Sequence, residues 1–514
     1  MIPKDKHRRI LLVAIASSVL GAAGLTMTTG YAAAQEGCVE ISGTDPIKET
    51  QTMDPAFLWG DDDAMHIWSV YEPLIHLDET FQPMPRLAES WEANADATQW
   101  TFHLRKGVKF HDGSAFAAKD AVYSINRLTD PNVASPAAPA MSFMEGAVVE
   151  AVDDHTLSIT TQSPVVELPV LLSSKFALMV KDGTPSTELA QTANGTGAFM
   201  APDYVRAADV RKLVANPDYW DPELPKSDCL LITVKTDPLA MTAGLLSNEV
   251  DYAPVIDGST ARSLQKADNV ELLASKQGSF LTFAMWTQTP PFDDVRVRQA
   301  LKLVIDRQVM VNAALLGFGV ATNDHNIPPF FPTAAHSTVP EQDIERAREL
   351  LKEAGYEDDL EIDLFSSEIQ PGLTKMSTLF AQMASQAGVK VNVVTMPSSS
   401  FWDEVWNKRP FYTSSWGLRS TADGLSVAHR SDAGWNETQW QREDYDALLD
   451  KAAQTVDPKE RTELYRQAQI MLEEEGGTIN PVMATAVAAV SKDCGGVRLY
   501  ATQTPDFRYL YCDR

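Results

Sequence analysis

The sequence predicts an α/β fold in which at least part of the sheet is parallel. Two observations carry this. Between residues 341 and 394 an amphipathic helix, a short apolar strand, a second helix and a second strand follow one another, the alternation that builds parallel sheet. The chain's 514 residues, 44% hydrophobic and 22% charged, supply enough apolar side chain for two or three structural units. No repeat of fixed period and no Ser-, Gln- or Pro-dominated segment interrupts them.

Taken in order, residues 1–34 read as an address. Lys4, Lys6, Arg8 and Arg9 make a basic start, residues 10–20 are apolar but for Ser17 and Ser18, and Ala32, Ala33 and Ala34 precede Gln35. This is the pattern of a secretory signal peptide cleaved after Ala34, and its apolar stretch is short for a bilayer anchor. Cys38 follows Gln35-Glu36-Gly37 rather than a Leu-Ala-Gly-like box, so lipid attachment is not expected. Strands are expected at residues 39–41, 108–110 and 230–234, the second ending in the turn His111-Asp112-Gly113. A helix over 117–128 places Ala118, Ala121, Val122, Ile125 and Leu128 on one face. A longer one spans 295–315, with Val297, Ala300, Leu301, Val304 and Ile305 inward and Asp293 and Asp294 at its positive end. Residues 341–354 form a helix on Ile344, Ala347, Leu350 and Leu351, closed by Gly355. Strand 360–365, a helix near 379–386 and strand 389–394 follow, then helices 444–455 and 458–474 and a strand-like tail at 486–490.

Charge and cysteine usage narrow the function classes. The formal net charge is −27 and no Lys/Arg run lies outside the first ten residues, so nucleic acid and anionic membrane surfaces are not expected partners. Four cysteines in an exported chain favour disulfides over metal ligation, and none has C-x-x-C spacing. Cys494 and Cys512 are close in sequence, while Cys38 and Cys229 each adjoin a strand; the pairing expected is Cys38–Cys229 and Cys494–Cys512.

Several segments are more specific. Leu87-Ala88-Glu89-Ser90-Trp91-Glu92 and the run from Trp100 to Gly113 closely resemble the signature of extracellular solute-binding protein family 5, the peptide/nickel-type binding component of bacterial ABC importers. Tyr71-Glu72-Pro73-Leu74, Gly195-Thr196-Gly197-Ala198-Phe199, Asn216-Pro217-Asp218-Tyr219-Trp220 and the run from Pro291 to Leu301 follow in the family's order, and residues 347–356 and 444–452 extend the match. The resemblance implies a two-lobe periplasmic binding protein fold of the cluster C type. Lobe I would hold residues 35–277 and 486–514, with an extra subdomain at about 78–195, and lobe II residues 278–485. The crossings near Gln277-Gly278-Ser279 and Met483-Ala484-Thr485 would be hinges. It also implies a monomeric periplasmic protein that passes a small solute to membrane permease subunits driven by cytoplasmic ATPases. No cofactor is implied. Gly107, Gly113, Gly195 and Gly197 read as turn residues, Arg296 and Arg298 as ion-pair formers, and Trp91, Trp100, Trp220, Trp402 and Trp406 as core.

Ligand contacts are expected where the chain departs from the peptide-binding pattern. After Trp416-Gly417, relatives place an Asp-rich loop whose carboxylate holds the peptide α-ammonium; here Arg419 and Asp423 occupy that loop. Asp423 can serve as the carboxylate, or Arg419 can take the region for an anionic group. Trp286, Trp416, Trp435 and Trp59 are candidate walls, with Asn436 and Asp61 beside the last two. A di- or oligopeptide is the first-ranked solute and an opine-like or sugar-derived one the alternative. Nickel ranks lower, because the nine histidines, among them His66, His76, His103 and His111, form no close-spaced set. A secreted hydrolase ranks lower still: no G-x-S-x-G, H-E-x-x-H or Walker A pattern occurs, and Asp403 and Glu404 are adjacent on a helix and so diverge.

Overall fold

Alternating Val39 and Ile41 bury one face of the strand Cys38–Gly43, an inner strand of the main sheet. In the computed structural model, residues 37–514 are described except 44–51, 59–60, 139–140, 142–143, 206–207, 209, 337, 358, 501–505 and 514. The expected signal peptide lies outside the described residues. Cys38–Gly43 runs parallel to Cys229–Val234 with Cys38 opposite Cys229, and the expected disulfide joins them. Cys494 opposes Cys512 in a two-stranded ladder and forms the second.

Among the described residues the main sheet has 11 strands. Their order is Lys390–Thr395, Glu361–Ser366, Phe411–Gly417, Val270–Met285, Thr478–Ser491, Tyr252–Ile256, Cys38–Gly43, Cys229–Val234, Arg211–Ala215 and Phe199–Met200, with Gly319–Ala321 against Thr478–Ser491. The expected parallel pairing holds for Glu361–Ser366 beside Lys390–Thr395. The tail expected at 486–490 is part of a much longer strand, because Ile479, Val482 and Met483 are buried as well and extend the pairing back to Thr478. This strand and Val270–Met285 run antiparallel through the centre of the sheet. Their register shifts between Ala274 and Gly278. Gly278 is required there, since a Cβ would stand 1.8 Å from the carbonyl oxygen of Ala484.

Helices Val295–Leu303, Arg307–Ala314, Ile344–Glu353 and Leu373–Ser385 bury their apolar faces against Leu281, Phe283, Met285 and Leu364. The single helix expected over 295–315 is two. Asp306 takes an extended conformation and its carboxylate accepts from the backbone N–H of Val309, so it starts a new helix in place of continuing the old one. A separate antiparallel sheet orders Ala88–Ala93, Gln99–Leu104, Thr156–Thr160 and Val148–Asp153. Helix Ala118–Thr129 covers it, and Ala118, Ala121, Ile125 and Leu128 join Trp100, Phe102 and Phe110 in its core. Val108–Phe110 supplies a single bridge, Lys109 to Ala115, rather than a strand.

The motif residues that carry the family resemblance converge on Glu72. Its buried carboxylate accepts from the hydroxyl of Tyr219 at 2.6 Å, the indole N–H of Trp220 at 3.0 Å and the hydroxyl of Thr196 at 3.2 Å, and Arg86 approaches to 3.8 Å. Gly195 lies so close to this region that a Cβ would stand 2.0 Å from the carbonyl oxygen of Val70. The expected ion pairing holds for Arg296, which binds Asp294. Arg298 differs: it donates to the carbonyl oxygens of Glu475 and Phe292. Lys302 donates to those of Leu472 and Glu473, so two cations close the carboxyl end of helix Pro458–Glu475, where the partial charge is negative.

Candidate functional site

Strand Phe411–Gly417 ends in the loop that leads to helix Thr421–Ser426. Ser420 caps this helix, its hydroxyl accepting from the N–H of Asp423, which fixes Asp423 in the first turn. Arg419 and Asp423 are both half-buried. The Nε of Arg419 is buried with no hydrogen-bond partner. Burial pushes the carboxyl of Asp423 above the usual carboxylate range, and the charge of Arg419 draws it partly back. Glu167 also faces this region: it accepts from the hydroxyl of Tyr465 at 3.0 Å and lies 3.9 Å from Arg461, and its carboxyl is raised by burial first and by the charge of Asp423 among lesser causes. Leu77, Phe81 and Val170 pack on Ile327, Phe331 and Leu425 in the same cluster.

The tryptophans gather around a carboxylate that sequence reasoning missed. Glu437 is buried, and Oε1 accepts the indole N–H of Trp416 at 2.7 Å while Oε2 accepts that of Trp406 at 3.2 Å. Burial pushes its carboxyl up, opposed by hydrogen bonds from Trp416, Ser414 and Trp406. Trp435 stands 6.1 Å from Trp416, and Trp402 stands 5.8 Å from Trp406. Trp286 and Trp406 both pack against Phe401, Val405 and Tyr412. Trp402 and Trp406 were expected in the core; the helix that carries Trp402, Phe401–Glu404, is only one turn long and leaves Trp402 56% exposed. No spacing rule marks Glu437, since its partners lie 21 and 31 residues away.

The other expected residues are placed as follows. Asn436 is committed to its own loop, its Nδ2 donating to the carbonyls of Arg430 and Trp440. Asp61 opens helix Asp61–Val70, and Trp59 lies outside the described residues. His66 and His76 are buried, each packed against an aromatic ring, Tyr204 and Trp68 respectively. Among the described residues, the one grouping with metal-ligand geometry is Asp251 with Cys494 and Cys512, whose sulfurs form the second disulfide. No helix among the described residues is long and apolar enough to cross a membrane.

Comparison with known proteins places the chain and its fold in a lineage. The glutathione-binding protein GsiB of Escherichia coli (strain K12) is 29% identical over 443 residues, covering 83% of this chain and 86% of that protein. HbpA2 from Haemophilus parasuis superposes with a TM-score of 0.80 at 24% identity, covering 92% of this chain and 99% of that one. A dipeptide-binding protein from Pseudoalteromonas sp. SM9913, in complex with Met-Leu, superposes with a TM-score of 0.72 at 22% identity, covering 92% and 99%. The α/β fold is thus that of the two-lobe periplasmic binding proteins. The model of the bacterial extracellular solute-binding proteins, family 5 (middle), matches residues 82–487, and the chain belongs to that family, a solute-binding component of an ABC importer.

Proposed function

We propose that the protein captures a di- or oligopeptide, glutathione-sized solutes included, between its lobes and delivers it to permease subunits coupled to cytoplasmic ATPases. The observation that carries the reading is Arg419, in the loop before helix Thr421–Ser426, and Asp423, in that helix's first turn: opposite charges, both half-buried, four residues apart, with the Nε of Arg419 unpartnered. A zwitterionic peptide offers an ammonium to one and a carboxylate to the other. The 29% identity to a glutathione-binding protein supports the same class. Trp286, Trp416 and Trp435 are the proposed walls.

The lobes are assigned as residues 35–277 with 486–514, including a subdomain at about 78–195, and 278–485. The register shift between Ala274 and Gly278 supports a hinge at this crossing, because interrupted pairing bends more easily than a continuous ladder. The protein acts as a binder with no turnover, exported by its leader and working as a monomer in the periplasm.

The test is a thermal-shift screen with glutathione, Met-Leu, longer peptides, opines, oligosaccharides and nickel, with mass spectrometry of each mixture for products. A ligand specific to the folded state at 100 times its Kd adds about 2.7 kcal/mol. Stabilisation by peptides, lost in Asp423→Asn and Arg419→Met and with the peptide recovered intact, is expected. Stabilisation by an opine or a sugar alone overturns the peptide assignment, and product formation overturns the binder.

A further inference from the structure

We propose that Glu437 is a positioning residue for solute capture, holding Trp416, and through it the half-exposed Trp435, in the orientation that selects a solute with an aromatic or planar group. This rests on the peptide reading above and names the side chain that the site prefers.

The two oxygens of one buried carboxylate each take one indole N–H, at 2.7 Å from Trp416 and 3.2 Å from Trp406. Each indole N–H ends on its own oxygen of one planar group, so a single side chain sets the planes of two large rings. The backbone carbonyl of Glu437 accepts the Tyr412 hydroxyl at 3.0 Å, which ties the Glu437 loop to strand Phe411–Gly417. Trp416 is buried against Phe280, Ala428 and Met483. Trp435, 51% exposed, leans on it at 50° between ring planes. A free aromatic ring backed by a fixed one is a rigid apolar face, suited to offset or edge contact with a second ring.

The experiment compares Ala-Phe with Ala-Ala by titration calorimetry, and records near-ultraviolet circular dichroism without solute. The variants are Glu437→Gln, Glu437→Gln/Trp406→Phe and Trp435→Ala. Glutamine keeps one acceptor and sets an N–H2 against the second indole; removing that indole N–H with Trp406→Phe relieves the conflict. We expect the wild type to bind Ala-Phe up to about tenfold more tightly than Ala-Ala. In Glu437→Gln the tryptophan dichroism weakens and the preference falls below about twofold, while Glu437→Gln/Trp406→Phe recovers both. Trp435→Ala, which leaves the carboxylate and both its bonds in place, loses the preference. Unchanged dichroism in Glu437→Gln overturns the positioning role. An unchanged preference in Glu437→Gln or Trp435→Ala overturns the link to the solute. Binding of neither dipeptide by the wild type overturns the peptide reading, and the spectra then decide the positioning alone.

Discussion

Removing the Cys38–Cys229 cross-link should cost more than removing Cys494–Cys512, although the first joins strands that are already paired over six residues. That pairing survives without the sulfur bond, so the folded state loses little and the change acts on the unfolded chain. The sequence separations closed are 191 and 18 residues. Loop-closure entropy of about 2.1 plus 1.5R ln n cal/mol/K converts, near room temperature, to roughly 5 and roughly 3 kcal/mol. The assay is urea denaturation of Cys38→Ser/Cys229→Ser and Cys494→Ser/Cys512→Ser, followed by far-ultraviolet dichroism and read as the shift in midpoint. Both midpoints should fall, the first further. An equal or deeper fall for the Cys494/Cys512 variant refutes the reasoning: the short link would then be holding native structure, where Gly495 pairs with Tyr511, rather than restricting the unfolded ensemble.

Other outcomes are as definite. Glu72→Ala strands the donors of Tyr219, Trp220 and Thr196 beside the guanidinium of Arg86, and should cost about 3–5 kcal/mol in thermal or urea unfolding, with Glu72→Gln milder. Gly195→Ala forces its Cβ against the Val70 carbonyl, so the folded yield after export should drop sharply. His429 is kept neutral in the fold, its pKa pushed down to about 3 by burial and then by the charges of His325 and Lys302. The unfolded chain takes up that proton below about 6.5, so this residue's contribution to stability is lost as pH falls from there towards 3, by about 1.4 kcal/mol per unit. His429→Leu removes that slope; stability curves that stay parallel to the wild type over this range would sink the argument.

What was legible in the sequence follows from periodicity and from turn chemistry. The helix at 344–353 and the paired strands at 361–366 and 390–395 emerge because amphipathic spacing and a closing glycine act within a few residues. The break at Asp306 was missed because the apolar face continues through Val304 and Ile305; one capping carboxylate outweighed a pattern that is otherwise helical. The full extent of Thr478–Ser491 was missed because Asn480 and Pro481 look like breakers, and only the buried partners of Asn480, the carboxylate of Asp324 and the carbonyl of His325, explain why it lies inside. Arg298 was read as an ion-pair former because its charge is visible in sequence, whereas the carbonyls it caps are not.

The site was legible only in part, and the reason lies in what each group of residues does. Tyr219, Trp220, Thr196 and Gly195 come in a recognisable order because they all serve one buried carboxylate and one close backbone approach, demands that leave little choice of side chain. A solute-facing residue answers to a molecule the chain does not encode. Arg419 and Asp423, proposed above to face the solute, therefore stand out in the sequence only as departures from a pattern. Glu437 could not be found at all, since its two indole partners arrive from different segments and meet only in three dimensions. Of the pair it holds, Trp416 is indistinguishable from a core residue by burial alone, and its contact with the half-exposed Trp435 is what makes it a proposed wall. If Glu437 positions these rings as proposed, the binding preference of this chain lies one layer behind the solute, in the buried polar group that orients its aromatic side chains.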